Sequence, residues 1–136
     1  MQKNVETEDY IAVKYTNKYK VVCFMESLAI FEGENIVKEV KLEGLPTTCI
    51  GVVDEDKLIV GNEFDVQLIS ISQGKVINSY EGVSSCFSIE KMGNSFITGC
   101  LDGCVELLKI ENNKIKLINR ETVCEDVGIC AIAVIN

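Results

Sequence analysis

A hairpin pattern that recurs along the chain limits the possible folds more than any other feature of the sequence. Residues 95–110, SFITGCLDGCVELLKI, contain apolar and β-branched residues on both sides of Asp102-Gly103. This dipeptide accepts the positive φ of a tight turn, so the pattern predicts two short antiparallel strands. Residues 57–70, KLIVGNEFDVQLIS, repeat the pattern around a turn that ends at Asp65, and a weaker copy lies further upstream. The sequence therefore predicts a repeated β unit whose turns are shaped by these aspartates and by the glycine.

Each hairpin belongs to a larger unit of four predicted strands. The units are residues 10–43, 47–81 and 84–121, and they repeat with a period of about 38 residues, which is typical of β-propeller blades. An additional strand at 129–135 would begin a fourth unit, and no segment keeps helical apolar spacing over a helix's length. We predict one all-β domain over the whole chain, a partial β-propeller of three four-stranded antiparallel blades plus an orphan strand. A small β-sandwich or barrel that serves as a binding module is the alternative.

The units resemble the repeats of the WD-repeat family. The matching residues are 98–103, TGCLDG, and 105–107, VEL, at the position of the family's third strand. The sequence departs from the family where Lys109-Ile110 and Ser70-Ile71 stand in place of Trp-Asp, and where Glu43-Gly44 and Glu81-Gly82 stand in place of Gly-His. The resemblance covers nearly the whole chain and implies a platform that holds other proteins together without catalysis. It also implies that Asp65 and Asp102 are turn aspartates, while the family's buried tetrad lacks its histidine and tryptophan.

Composition narrows the classes of partner. Lys and Arg number 13 against 21 Asp and Glu, which gives a formal net charge of −8. Unaided binding to nucleic acid or to an anionic membrane is therefore disfavoured, because both require Lys and Arg to neutralise phosphate. The first ten residues, MQKNVETEDY, also lack the apolar stretch of a secretion signal. We expect an intracellular protein, cytoplasmic or nuclear, with protein partners that include basic ones.

The sequence contains few of the motifs and residue types that usually support catalysis or metal binding. Seven cysteines and no histidine, without a secretion signal, indicate reduced thiols rather than a disulfide framework. Cys100 and Cys104 flank the turn at Asp102, but a metal site needs about four ligands, so we interpret them as buried strand residues. No phosphate-binding loop is present, and no nucleophile has a histidine to activate it. We therefore predict no enzymatic activity, no metal and no cofactor.

A propeller enzyme or small-ligand binder with a central pocket is the alternative function. Such a pocket would be lined by the first strand of each unit. The residues that we expect there are small or apolar, which disfavours a polar centre: Cys49, Ile50, Cys86, Phe87, Cys130 and Ala131.

Three blades are too few for a closed ring, since propellers have about four to eight. An open arrangement would expose two apolar blade faces, so we expect a homo-oligomer or completion by another propeller-containing chain.

One end of the predicted blades is acidic. In a four-stranded meander, the turn between the second and third strands lies at the same end as the link to the next blade. This acidic end collects Glu26, Glu43, Glu63, Asp65, Glu81, Asp102, Glu121, Glu125 and Asp126, and Arg120 is the only nearby base. We predict that it faces a basic protein segment, with the following candidate surface residues: Glu26, Glu43, Glu63, Glu81, Glu121, Glu125 and Asp126.

Overall fold

The computed structural model describes residues 10–42, 46–82 and 85–123, which form β-strands and the connections between them. Blade 1 contains β1 (Ala12–Tyr15), β2 (Lys20–Cys23), β3 (Ser27–Glu32) and β4 (Asn35–Lys41). Blade 2 contains β5 (Thr47–Val52), β6 (Lys57–Asn62), β7 (Asp65–Ser70) and β8 (Lys75–Glu81). Blade 3 contains β9 (Cys86–Met92), β10 (Ser95–Cys100), β11 (Cys104–Glu111) and β12 (Lys114–Thr122).

In each blade the strands pair in chain order as an antiparallel sheet of four. The prediction of an all-β partial propeller with three four-stranded blades is confirmed. The additional strand predicted at 129–135 lies outside the described residues. Within the described residues, no helix is long and apolar enough to cross a membrane.

The three blades share one irregularity as well as their strand order. The register shifts between Ile30 and Phe31 in blade 1, between Leu68 and Ile69 in blade 2, and between Leu107 and Leu108 in blade 3. Each shift falls in the pairing of the third strand with the fourth. A bulge of this kind increases the local right-handed twist, so all three blades twist at the same place.

Blade 2 is buried on both faces, because it lies between the other two. Leu58 and Val60 belong to the cluster shared with blade 1, whereas Ile59 belongs to the cluster shared with blade 3. Neighbouring residues of a strand point to opposite faces, so a strand that is covered on both sides needs apolar residues throughout. This explains why residues 58–60 form an uninterrupted apolar run.

The outer face of blade 1 differs from the expectation of an exposed apolar surface. Val22, Phe24, Ala29 and Phe31 form a third cluster on this face, and each is at most 8% exposed. Among the described residues of blade 1, these four side chains thus form a covered apolar cluster rather than an open face.

The outer face of blade 3 is half-buried. Ile97 pairs with Leu107, and the adjacent residues Phe96 and Leu108 point into the core shared with blade 2. Strand alternation therefore places Ile97, Leu107 and, two residues before Leu107, Val105 on the face away from blade 2. All three are partly exposed.

Candidate interaction surface

Three equivalent turns at the acidic end each display a large apolar side chain. Met25 lies between β2 and β3, Phe64 between β6 and β7, and Leu101 between β10 and β11. Their exposed fractions are 55%, 65% and 53%. Sequence reasoning identified the acidic residues of these turns and missed the apolar ones, which stand at different offsets from the third strand of their blades. We call Met25, Phe64 and Leu101 the apolar turn residues.

Backbone hydrogen bonds tie these turns to the links between blades. The Thr47 backbone N–H at the start of blade 2 donates to the Met25 carbonyl at 2.8 Å. At the start of blade 3, the Ser85 hydroxyl donates to the Glu63 carbonyl at 2.9 Å, and the Ser85 carbonyl accepts from the Leu101 N–H at 2.9 Å. The turns of blades 1 and 2 are thus fixed to the start of the next blade, and the turn of blade 3 is fixed to the start of its own blade, so the apolar turn residues are held at defined positions.

The predicted candidate surface residues are exposed wherever the structure describes them. Glu26, Glu63, Glu81 and Glu121 are all solvent-exposed. Of these, Glu121 accepts a hydrogen bond from the side-chain amide of Asn119 at 3.2 Å. The other predicted surface residues, Glu43, Glu125 and Asp126, lie outside the described residues.

Arg120 does not offset this negative charge. Its guanidinium forms a close ion pair with Asp102, and its Nη1 lies 3.1 Å from Glu106 Oε2. The arginine side chain is 20% exposed and is engaged by two carboxylates. The predicted base therefore belongs to an internal network, and the exposed glutamates keep the end negative.

The two turn aspartates hold their turns by different means. Asp102 accepts the Cys104 backbone N–H at 3.1 Å, while Gly103 adopts a φ of +86°, which a side chain would disfavour. Asp65 instead accepts from the Asn62 side-chain amide at 2.6 Å. The Asn62 side-chain oxygen in turn accepts the backbone N–H of Asp65 at 2.8 Å. The sequence predicted structural roles for both aspartates, but Asn62 was missed.

A buried carboxylate at the contact between blades 2 and 3 was also missed. Glu106 of β11 is 2% exposed and accepts a hydrogen bond from the Tyr80 hydroxyl of β8 at 2.9 Å. Burial, followed by this hydrogen bond to Glu106, raises the pKa of Tyr80 to about 12. Because Arg120 also contacts Glu106, the three side chains form a polar network that crosses from one blade to the next.

The centre of the propeller is more polar than the sequence suggested. A depression of about 230 Å³ is lined by the innermost strands, and its polar lining includes Lys14, Thr48, Ser88 and Glu90. Cys49, Ile50 and Phe87 line it as predicted, but Cys86 is packed in the core between blades 2 and 3. The centre therefore also holds charged and hydroxyl side chains that the sequence analysis did not place there. Cys130 and Ala131 lie outside the described residues.

Cys100 and Cys104 are buried, and their thiols have separate partners. The Cys100 thiol donates to Glu106 Oε1 at 3.8 Å, whereas the Cys104 sulfur lies 3.5 Å from the Thr122 hydroxyl. Among the described residues, no three cysteine, aspartate or glutamate side chains are arranged to hold a metal ion.

Comparison with known proteins supports the architecture. No protein-family model and no curated protein matches the chain. Among solved structures, the computationally designed Ika4 protein superposes with a TM-score of 0.78 at 12% identity, over 96% of this chain and 82% of that one. The computationally designed Ika8 protein superposes with a TM-score of 0.62 at 16% identity, over 79% of this chain and 35% of that one. At these identities the likeness shows the β-propeller-like fold alone.

Proposed function

We propose that this chain is a non-enzymatic protein-interaction module that binds its partner at the acidic end. The observation that carries this proposal is the display of Met25, Phe64 and Leu101 at equivalent turns beside exposed glutamates. A single exposed apolar residue is ordinary on any protein surface. Its recurrence in the turn between the second and third strands of every described blade, on turns that hydrogen bonds fix to the starts of blades, favours a surface used for contact.

The partner that fits this surface is a basic segment that also carries apolar side chains. Protein interfaces place apolar anchors at the centre and polar or charged groups around them. Here the apolar turn residues supply the anchors, and the glutamates supply the charge. Opposite charge on the partner would accelerate encounter, and salt would weaken this acceleration. The resemblance to WD-repeat platforms supports the same class of function.

A quantitative pull-down with the whole chain as bait tests the surface. The triple variant Met25→Ser, Phe64→Ser and Leu101→Ser should lose the wild-type partner and keep its free energy of unfolding, because all three side chains are exposed. A matched control replaces the exposed apolar residues Tyr15 and Val37, which lie outside these turns, by serine. Retention of the partner by the triple variant, or equal loss in the control, would contradict the proposal.

Charge reversal tests the electrostatic part separately. Replacing Glu63, Glu81 and Glu125 by lysine should slow association with the partner and reduce the dependence of the association rate on salt. Rates measured by surface plasmon resonance at several ionic strengths provide the check. An unchanged rate and unchanged salt dependence would indicate that the acidity serves solubility alone.

Completion of the ring by a second copy of the chain or by another propeller chain is part of the proposal. It is supported by the partly exposed apolar face of blade 3, formed by Ile97, Val105 and Leu107. Native mass spectrometry of the purified chain should show a species larger than 15.0 kDa. If the chain is instead a monomer, it should be unstable and lack a cooperative unfolding transition. A sharp 15.0 kDa species with a cooperative unfolding transition would contradict completion.

Binding of a very small polar molecule in the central depression is the second candidate function. The Ser88 hydroxyl is buried and has no hydrogen-bond partner among the described residues, and it faces a site that also holds Lys14 and Glu90. The volume of about 230 Å³ lies below the range of ordinary ligand pockets. Free amino acids carry both charges and suit such a site, so calorimetric titration with them is the test. Equal heats for wild type and Lys14→Met would exclude it.

A further inference from the structure

Two buried thiols from neighbouring blades are in contact near the propeller axis. Cys49 of β5 and Cys86 of β9 place their sulfur atoms 3.6 Å apart. Both belong to the core between blades 2 and 3, and both are free thiols in the structure. A disulfide bond requires about 2.05 Å between sulfurs, so the two must approach by about 1.5 Å, a distance that side-chain rotation and small strand shifts can supply.

The surrounding residues leave room for this pair. The neighbouring strand β6 carries Gly61 opposite both sulfurs, and a Cβ added there would lie 2.8 Å from the Cys49 sulfur and 2.9 Å from the Cys86 sulfur. The absence of a side chain at this position therefore lets the two sulfurs meet. Cys49 also lines the central depression, which gives an oxidant a route to this thiol.

We propose that Cys49 and Cys86 are an oxidative modification site, at which a peroxide-class oxidant forms a reversible disulfide between the blades. In the first step the Cys49 thiolate attacks a peroxide oxygen, the O–O bond breaks, and the departing hydroxide takes up the proton that the thiol released, so that sulfenic acid and water result. In the second step the Cys86 sulfur attacks the sulfenic sulfur, the S–O bond breaks, and the Cys86 thiol proton passes to the departing hydroxyl, which leaves as water. Two thiols are oxidised, one peroxide is reduced to two waters, and a thiol reductant reverses the bond.

The local chemistry favours Cys49 as the thiol that reacts first. The hydrogen bond from Cys86 lowers the pKa of the Cys49 thiol. Burial instead raises the pKa of Cys23 to about 12 and that of Cys100 to about 11, which keeps these thiols protonated and unreactive. The hydrogen bond with Cys49 raises the pKa of the Cys86 thiol in the reduced pair. This cause is removed when Cys49 is oxidised, and Cys86 then serves as the resolving thiol because its sulfur already contacts that of Cys49.

Peptide mapping of the folded wild-type chain tests the proposal directly. Trypsin cleaves after Lys41, Lys57, Lys75, Lys91 and Lys109, and so separates the relevant cysteines. Cys49 lies in peptide 42–57, Cys86 in peptide 76–91, and Cys100 with Cys104 in peptide 92–109. After treatment with hydrogen peroxide and alkylation of the remaining thiols, peptides 42–57 and 76–91 should be linked, with a mass lower by two hydrogen atoms. Dithiothreitol should release them.

A variant and a competing product make the result decisive. In Cys86→Ser, the resolving thiol is absent, so Cys49 should accumulate as a sulfenic acid that dimedone traps. Cys100 is the cross-strand neighbour of Cys86, so a link between peptides 76–91 and 92–109 would overturn the proposal. Oxidation of Cys49 to sulfinic acid in the wild type without a link would also overturn it. These outcomes are read from the wild-type map and do not depend on how well the variant folds.

Discussion

The free energy of unfolding should depend strongly on Arg120, because this residue compensates a buried charge. Glu106 is 2% exposed, and the side chain of Arg120 is its nearest cation. Replacing Arg120 by methionine keeps most of the apolar volume but leaves the carboxylate buried without its cation. Removal of one partner from a buried ion pair costs about 3 to 5 kcal/mol. Since the arginine is 20% exposed and water can partly replace it, we expect about 3 kcal/mol, near the lower end of this range.

A second variant separates this explanation from a loss of packing. Adding Glu106→Gln to Arg120→Met removes the uncompensated charge, while the new side-chain oxygen still accepts from the Tyr80 hydroxyl. The double variant should therefore be more stable than Arg120→Met alone by about 1 to 2 kcal/mol. Urea denaturation of wild type, both single variants and the double variant provides the measurement. A cost below about 1 kcal/mol for Arg120→Met, or a double variant less stable than that single variant, would refute this reasoning.

Three other predictions concern the turns, the core and the pH dependence. Asp102→Ala should cost about 1 to 2 kcal/mol of unfolding free energy, since its turn loses a hydrogen bond; unchanged stability with lost partner binding would refute the structural role. Gly61→Ala should lower the free energy of unfolding by about 1 to 3 kcal/mol, because the new methyl group collides with Cys49 and Cys86. Adding Cys86→Ala should recover part of this loss, and urea denaturation of both variants provides the measurement. The pKa of Tyr80 is raised to about 12, so its contribution to the free energy of unfolding is complete below about pH 10 and is lost as pH rises through 12. The absorbance of tyrosinate should show a component that titrates near this pH, and Tyr80→Phe should abolish it.

Much of the fold could be predicted from the sequence because contacts within a blade are local. Each strand pairs with the next one along the chain, so alternation of side chains and the turn residues between strands specify the pairing. Residues 95–110 illustrate this: the turn at Asp102-Gly103 was assigned from its dipeptide, and β10 and β11 lie on either side of it. The acidic end could also be predicted. The connections of a meander alternate between the two ends of the sheet, so every second connection lies at the same end.

The contacts between blades were beyond this kind of reasoning. Tyr80 and Glu106 are separated by 26 positions, and Cys49 and Cys86 by 37. Whether such residues touch depends on the twist of each sheet and on the angle at which one blade packs against the next. Neither quantity can be predicted from the alternation of side chains along a strand. For the same reason Lys14, Ser88 and Glu90 were not expected together at the centre.

The sequence by itself thus determined the β class, the period of the blades, the ends of the strands and the sign of the charge at one end, because these properties depend on neighbouring residues. Only the tertiary structure decided which side chains meet across blades. It removed Arg120 from the acidic surface by pairing it with Asp102 and Glu106, and it left Met25, Phe64 and Leu101 exposed at matching turns. Exposure and pairing are set by all the elements that surround a residue, and these come together only when the blades pack.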